Sequence, residues 1–182
     1  MGSAARRLAC GCLIALGAAG LLPGSAGAAV TLGSTNLDPA ITDFGAGCST
    51  ETCLFVQKRL PGAQVRAPFP GTIFNWNVVT PGPYSYQLVV LRKRRNGKFK
   101  DVGESHPGAT PGAGAYEYPA DLHVRKGDYI ALRGNQVQGI FNARAKTMVF
   151  DPAVEFPDSR KPSFTSADEY QFNATMRRQL RH

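Results

Sequence analysis

Glycine and proline interrupt this chain so often that no long helix fits it. The 182 residues include 20 glycines and 13 prolines, and no stretch keeps a helical period beyond two turns. Between these breaks, short segments alternate polar and apolar residues with a period of two, which is typical of half-buried β-strands. About eight or nine such strands predict an all-β fold, an antiparallel two-sheet β-sandwich of jelly-roll type.

The individual strands are predicted from alternation and from turn residues. The clearest strand covers residues 84–91, and an Asn96-Gly97 turn joins it to a second strand at residues 99–103, which is a hairpin pattern. Further strands are predicted at residues 54–56, 64–67, 71–79, 116–118, 122–124, 129–132 and 170–176, with loops at residues 107–114 and 151–162. In residues 71–79, Phe74 and Trp76 are assigned to the apolar face and Ile73 to the opposite face.

Residues 1–28 have the three parts of a secretory signal peptide. Arg6 and Arg7 precede an apolar run at residues 8–22, and a small-residue cleavage sequence follows. A membrane anchor is the alternative, but the run has only 15 residues and a spanning helix needs about 20. We therefore expect cleavage before Ala29 and a secreted protein, extracellular or associated with the cell wall.

Removal of the signal leaves 154 of the 182 residues, enough for one domain with its own core. We divide them into an N-terminal lead segment at residues 29–47, which could add one strand, a β-sandwich domain at residues 48–176 and a basic tail at residues 177–182. The remaining 19 basic and 13 acidic residues give a charge of +6. This excess suits binding to anionic wall polymers or lipid headgroups, and it equally suits solubility alone.

Two cysteines, Cys48 and Cys53, remain after cleavage. An even number of cysteines in an exported chain predicts a disulfide between them, and its short loop would pin a local turn. A metal site would need two further soft ligands, whereas His106, His123 and His182 are scattered without ligand spacing. The sequence therefore predicts no metal and no cofactor.

A series of motifs along residues 48–176 resembles a known group of proteins. The motifs are Cys53-x-Phe55-Val56-Gln57, Pro70-Gly71-Thr72-Ile73-x-x-Trp76, Leu88-x-Val90-x-Arg92, Val102-Gly103-Glu104-Ser105, Tyr118-Pro119, Val124-x-x-Gly127-Asp128-x-Ile130-x-Leu132 and Phe172-Asn173-Ala174-Thr175. Their order is similar to that in a family of secreted single-module β-sandwich proteins of unknown function from high-GC Gram-positive (actinobacterial) bacteria. The resemblance implies a fold and an extracellular address, and it carries over no catalytic residue. This chain has more basic residues around its Asn96-Gly97 turn.

Two arrangements could suggest catalysis. Ser105 and His106 are adjacent, but neighbours on a strand point to opposite faces, so a nucleophile–base pair is not expected. A glycosidase would need two carboxyl groups about 5–10 Å apart across a cleft. The available acids are Glu104, Glu117, Asp121 and Asp128. The last two lie in turn contexts where a carboxylate caps backbone N–H groups, and nothing in the sequence pairs the first two.

The hairpin region carries the strongest binding signal. Six cations fall within nine residues: Arg92, Lys93, Arg94, Arg95, Lys98 and Lys100. They could bind an anionic polymer, or they could only be a solvated hairpin tip that discourages edge-to-edge aggregation. Nucleic acid is not the expected partner, because Phe99 is the one aromatic residue near these cations that could stack on a base.

Tyrosines offer a second binding hypothesis. Tyr84 and Tyr86 share one face of their strand, which could be exposed as a platform for a sugar ring, whereas Trp76 alternates with apolar neighbours and is expected in the core.

The favoured function is a non-enzymatic extracellular β-sandwich that binds an anionic or carbohydrate component of the cell surface, such as a wall polymer or polysaccharide. The candidate ligand-binding residues are Arg92, Arg94, Arg95, Lys98, Lys100, Tyr84 and Tyr86. The alternatives are a carbohydrate-active hydrolase on a jelly-roll fold and a structural envelope protein. No catalytic residue and no oligomeric state are predicted.

The signal-peptide interpretation gives the first prediction. N-terminal sequencing of protein recovered from culture medium or a loose wall fraction should find a start near Ala29, because the apolar run is too short to hold the chain in a bilayer. Recovery of the chain in a membrane pellet with Met1 still present would contradict it.

Overall fold

The computed structural model describes residues 28–41, 45, 48–49, 52–155 and 158–179. The predicted signal peptide up to residue 27 and the last three residues of the predicted tail lie outside these ranges. All regular structure in the described residues is β-strand, and no helix among them is long and apolar enough to cross a membrane. The strands are β1 (Val30–Gly33), β2 (Cys53–Arg59), β3 (Gly71–Thr80), β4 (Ser85–Lys93), β5 (Phe99–Glu104), β6 (Gly108–Ala109), β7 (Gly114–Val124), β8 (Tyr129–Gly134), β9 (Gly139–Phe141), β10 (Lys146–Phe150), β11 (Ser159–Arg160), β12 (Phe164–Ser166), β13 (Asp168–Tyr170) and β14 (Phe172–Arg178).

The all-β prediction is confirmed, but the expected eight or nine strands were too few, since the described residues form fourteen. Most of the difference comes from strands of two or three residues, such as β6 and β11, which lie in segments predicted as loops and are too short to show alternation. β10 was also missed. The predicted strand at residues 64–67 is only a one-residue bridge from Arg66 to Tyr129. The two strands predicted at residues 116–124 are one strand, β7, at a sheet edge where proline is tolerated.

The strands form two principal antiparallel sheets. The small sheet has the order β1-β14-β3-β7, and the large sheet has the order β11-β5-β4-β8-β2-β10-β12, with β6 paired to β4. β9 and β13 form a separate two-stranded sheet, and Tyr170 of β13 packs against Phe55 of β2. The lead segment does contribute a strand, because β1 pairs with β14. β14 continues through Arg178, so the first two residues of the predicted basic tail pair with β3.

One hydrophobic core lies between the two principal sheets. The small sheet contributes Trp76 and Phe172, and the large sheet contributes Phe55 and Leu132, all fully buried. Burial of four side chains of this size removes enough apolar surface from water to be a major part of the folding free energy. Trp76 stacks on Tyr118 with ring centroids 4.6 Å apart. Its predicted core position is confirmed.

The large sheet curls, so that its second face encloses a second core. Phe99 on β5 and Phe150 on β10 lie near opposite edges of this sheet, yet their ring centroids are 5.6 Å apart. Val89 on β4 and Ala131 on β8 line the inside of the curl and are fully buried. Central strands of the large sheet are therefore buried on both faces, and only their ends reach solvent.

An irregularity in β3 overturns the predicted division of its faces. Ile73 and Asn75 pair with adjacent residues of β14, Met176 and Thr175, so Phe74 is an extra residue inserted in β3. Ile73 consequently points inward with Trp76 and is fully buried, while Phe74 is only half-buried. Strict alternation fails here because a bulge reverses the direction of every side chain beyond it.

The predicted disulfide is present between Cys48 and Cys53, whose Cα atoms are 5.8 Å apart. Cys53 is the first residue of β2 and is fully buried in the core between the sheets. The bridge ties the segment before β2 to this strand.

The bulge in β3 can be tested by stability measurements. Ile73→Ala should lower the free energy of unfolding by about 2–5 kcal/mol, since it opens a cavity in the core. Phe74→Ala should cost only about 1 kcal/mol, because its ring is half-exposed. Urea unfolding of both variants measures the two costs, and the reverse order of costs would contradict the bulge.

Candidate functional site

The predicted basic hairpin is confirmed as a structural element. β4 and β5 pair antiparallel up to Lys93 and Phe99. The turn is closed by the Arg94 amide, which donates to the Lys98 carbonyl at 2.8 Å. Gly97 has a φ of +77°, a left-handed conformation that suits glycine at this position.

Cationic side chains project from this hairpin into solvent. Lys93, Arg94, Arg95 and Lys98 are all exposed. A shallow depression of about 550 Å³ lies beside the tip, lined by Arg92, Lys93, Arg94, Arg95, Asn96 and Ser159. Guanidinium and ammonium groups around one depression form a surface that can accept an oxyanion.

Arg92 plays a different part from the other cations of the hairpin. Its guanidinium donates two hydrogen bonds to the Asp128 carboxylate, at 2.8 Å and 2.7 Å, and these bonds raise the pKa of Arg92 above its ordinary value. The same carboxylate accepts the backbone N–H of Arg125 at 2.8 Å, as the turn context predicted. Arg92 therefore fixes the hairpin against the turn between β7 and β8. Lys100 is half-buried within β5, opposite Ser159 of β11.

More cations, which the sequence did not link to the hairpin, lie at the same end of the molecule. The β7–β8 turn presents Arg125 and Lys126, both exposed. Beside it, Gly71 pairs with Val124 on one side and with Arg178 on the other. We call this surface the basic end; it comprises Arg66, Lys93, Arg94, Arg95, Lys98, Arg125, Lys126, Arg177 and Arg178.

The tyrosine pair lies at the other end of β4, where Tyr84 is nine residues and Tyr86 seven residues before Lys93, or roughly 23–30 Å along the strand. Tyr86 is buried, so its predicted exposure was wrong. Its ring packs over Gly134, where an added Cβ would lie 2.6 Å from it. Its hydroxyl bonds Thr80 at 2.8 Å and also the Gln136 carbonyl, and burial raises the pKa of Tyr86 to about 12. Tyr84 is half-buried.

The catalytic candidates from the sequence are not brought together. Glu117 and Asp121 are exposed on β7 of the small sheet, and Asp128 is held by Arg92. The Ser105 hydroxyl donates to the His106 carbonyl at 2.8 Å and accepts the Leu88 amide at 3.0 Å, which is a structural role. No group of His, Cys, Asp and Glu in the described ranges could hold a metal ion.

A buried polar cluster that the sequence did not indicate lies inside the curl of the large sheet. Arg133 on β8 donates to Gln87 at 2.8 Å, to Glu104 at 2.7 Å and to the Val154 carbonyl at 2.9 Å. Its guanidinium also lies 3.5 Å from an Asp101 oxygen. Asp101 is completely buried, and that oxygen receives no hydrogen bond in the described structure.

The two carboxyl groups of this cluster contact each other and titrate together. Burial, followed by the contact with Glu104, raises the pKa of Asp101 to about 8. The hydrogen bond from Asp101, together with Arg133, lowers the pKa of Glu104. At neutral pH one proton therefore resides on Asp101 and is shared with an ionised Glu104. Two carboxyl groups in direct contact are closer together than the two catalytic carboxyl groups of a glycosidase.

The pairing of Asp101 with Glu104 depends on a second bulge. Residues three apart on a regular strand point to opposite faces. In β5, Gly103 pairs with Val90 and Asp101 pairs with Leu91, so Val102 is an extra residue that brings both carboxyl groups to one face. The Gly103 amide donates to Asp101 at 3.0 Å and holds the bulge. In the sequence, only the Val102-Gly103 pair could have indicated this bulge.

Comparisons of the chain with protein-family models, with curated proteins and with solved structures found no match. Its function must therefore be inferred from its own geometry.

The shared proton predicts how stability depends on pH. The folded pKa of Asp101, about 8, exceeds its unfolded value of 3.8, so the native state binds an extra proton and loses stability as pH rises from about 5 to 8. The ceiling on this slope is about 1.4 kcal/mol per pH unit. Asp101→Asn should flatten the dependence of stability on pH. The control Asp121→Asn removes an exposed carboxyl group and should leave that dependence unchanged. Thermal unfolding at several pH values is the measurement, and identical profiles for the parent and Asp101→Asn would contradict the shared proton.

Proposed function

We propose that this protein is a non-enzymatic module that binds a polyanion through the basic end. The observation that carries the proposal is the charge balance of the four segments that meet there, residues 66, 92–98, 125–128 and 177–178. They hold nine exposed cations, and their one carboxylate, Asp128, is buried and already neutralised by Arg92. A surface with one sign of charge attracts an anionic polymer strongly and raises its rate of association.

The scaffold in this proposal is the two-sheet β-sandwich that the sequence predicts. The core that the two principal sheets share supports this interpretation of the fold. The jelly-roll connectivity stays a prediction. So does secretion, which would bring the basic end into contact with anionic polymers of a cell surface. The resemblance to secreted actinobacterial proteins agrees with that address.

An anionic ligand is favoured over a neutral sugar by the state of the tyrosines. A sugar-stacking platform needs an exposed ring, whereas Tyr86 is buried and Tyr84 is half-buried with its hydroxyl bonded to Gln136 at 2.7 Å. Nucleic acid is also disfavoured, because Phe99, the aromatic residue nearest the hairpin tip in sequence, is buried in the second core. The proposal therefore narrows the expected ligands to polymers recognised by charge.

Retention on an anionic wall polymer tests the proposal. The triple variant Arg94→Gln, Arg95→Gln, Lys98→Gln should lose affinity on the order of tenfold or more at low salt, since three contacts to anionic groups are removed. Binding by the parent should weaken steeply as ionic strength rises past about 0.15 M. Thermal stability should hardly change, because exposed charges contribute little to folding.

A charge-matched control separates the hairpin from net charge. Lys58→Gln, Arg144→Gln, Lys146→Gln removes three charges at the same end of the large sheet, on or beside β2 and β10, which β8 separates from β4 of the hairpin. This control should bind almost as well as the parent. Equal binding by the hairpin variant and the parent would mean that the hairpin is only a solvated tip.

A further inference from the structure

Three arginines of the basic end are stacked on aromatic rings. The Arg178 guanidinium carbon lies 4.6 Å from the centroid of the Phe69 ring, and that of Arg177 lies 5.8 Å from the Phe74 ring. The Arg66 guanidinium carbon lies 5.3 Å from the Tyr129 ring. All three arginine side chains are exposed to solvent, whereas the rings are half-buried or buried.

Stacking prepares these arginines for an oxyanion. A guanidinium held against a ring by cation–π attraction loses part of its freedom before a ligand arrives, so less entropy is lost on binding. Its N–H groups lie in the plane of the fork and remain available at the edge for a bidentate contact. A ring that already carries a guanidinium also offers less surface on which a nucleic-acid base could stack.

Arg177 and Arg178 belong to the small sheet, whereas the hairpin belongs to the large sheet and Arg66 is bridged to Tyr129 of that sheet. Arg177 and Arg178 end β14, which β3 connects through hydrogen bonds to the end of β7. The exposed Arg125 and Lys126 lie in the turn that crosses from β7 to β8, and β8 neighbours β4. The two layers of packed sheets are about 10 Å apart. Exposed cations therefore lie at the same end of both sheets, on the hairpin, in the turn and at the end of β14.

We propose that Arg177 and Arg178 form a second oxyanion subsite, and that the ligand is a linear, base-free polyanion long enough to bind this subsite and the hairpin at once. This inference rests on the proposed function, since it specifies the kind of polymer that the basic end selects. When one part of a chain is bound at the hairpin, its next anionic groups are held near the second subsite at a high effective concentration. Short anions can occupy only one subsite and gain nothing from the other.

Inorganic polyphosphate is a suitable probe, because it is a linear chain of oxyanions without sugars or bases. Affinity for tripolyphosphate and for a long-chain polyphosphate is measured by calorimetry at fixed salt, and the ratio of the two is compared between variants. The ratio must be compared in this way because a long chain offers more binding registers to any cationic protein.

The double variant Arg177→Gln, Arg178→Gln should bind tripolyphosphate within about twofold of the parent, while the ratio of long-chain to short-chain affinity should fall about tenfold. The matched control Lys58→Gln, Arg144→Gln should keep the parent's ratio. Arg177→Lys, Arg178→Lys retains the charge and disturbs the fold less, and it should also lower the ratio, because lysine lacks the planar fork.

The outcomes separate this inference from the proposed function. An unchanged ratio in both Arg177/Arg178 variants overturns the second subsite, even if the hairpin triple variant has lost affinity for both probes. Failure of the hairpin variant to weaken either probe overturns the proposed function itself. A ratio that falls in the control as much as in the Gln variant would assign the effect to net charge and would also overturn the subsite.

Discussion

Burial of the large sheet on both faces is the constraint on which the rest of this structure depends. Four consecutive residues of β4, from Leu88 to Leu91, are completely buried, with alternate side chains in the core between the sheets and in the core inside the curl. Such a strand has no polar face to offer a ligand. Polar chemistry in the large sheet is thereby confined to the ends of the strands and to groups sealed within the curl.

The two ends of the large sheet differ in how their charges are satisfied. At one end, Arg133 is surrounded by acceptors and by a carboxyl pair that carries a shared proton, so its charge is compensated internally. At the other end, Arg92 is paired with Asp128. The remaining cations there face solvent, and three of them lie against aromatic rings. The polar cluster thus has the character of a structural network, whereas the basic end retains unused capacity for an anion.

Sequence reasoning succeeded where local rules decide the structure. The Asn96-Gly97 turn, the disulfide and the core position of Trp76 follow from turn chemistry, cysteine number and alternation. It failed at Phe74, where a bulge reverses the faces of β3, and it did not predict the bulge at Val102 in β5. It also failed for Tyr86, whose burial depends on a glycine, Gly134, that is distant along the chain.

The extent of the candidate site was hidden for a similar reason. The hairpin cations are adjacent in sequence, but Arg66, Arg125 and Arg178 join them only through the sheet register and through a turn that passes between layers. Period and composition carry no information on such long-range pairing. The same limit applies to Asp101 and Arg133, which lie 32 residues apart in the chain and meet only because β5, β4 and β8 are neighbours.

The most direct test of the basic end as the ligand-binding surface is a residue-by-residue NMR titration of the isotopically labelled protein with long-chain polyphosphate. The account predicts that amide shifts concentrate at Arg94–Lys98, in the turn at Arg125 and Lys126, and at the end of β14. Amides near Tyr84, at the opposite end of β4, should stay unchanged. Shifts centred on that opposite end, or no shifts at low ionic strength, would contradict the account.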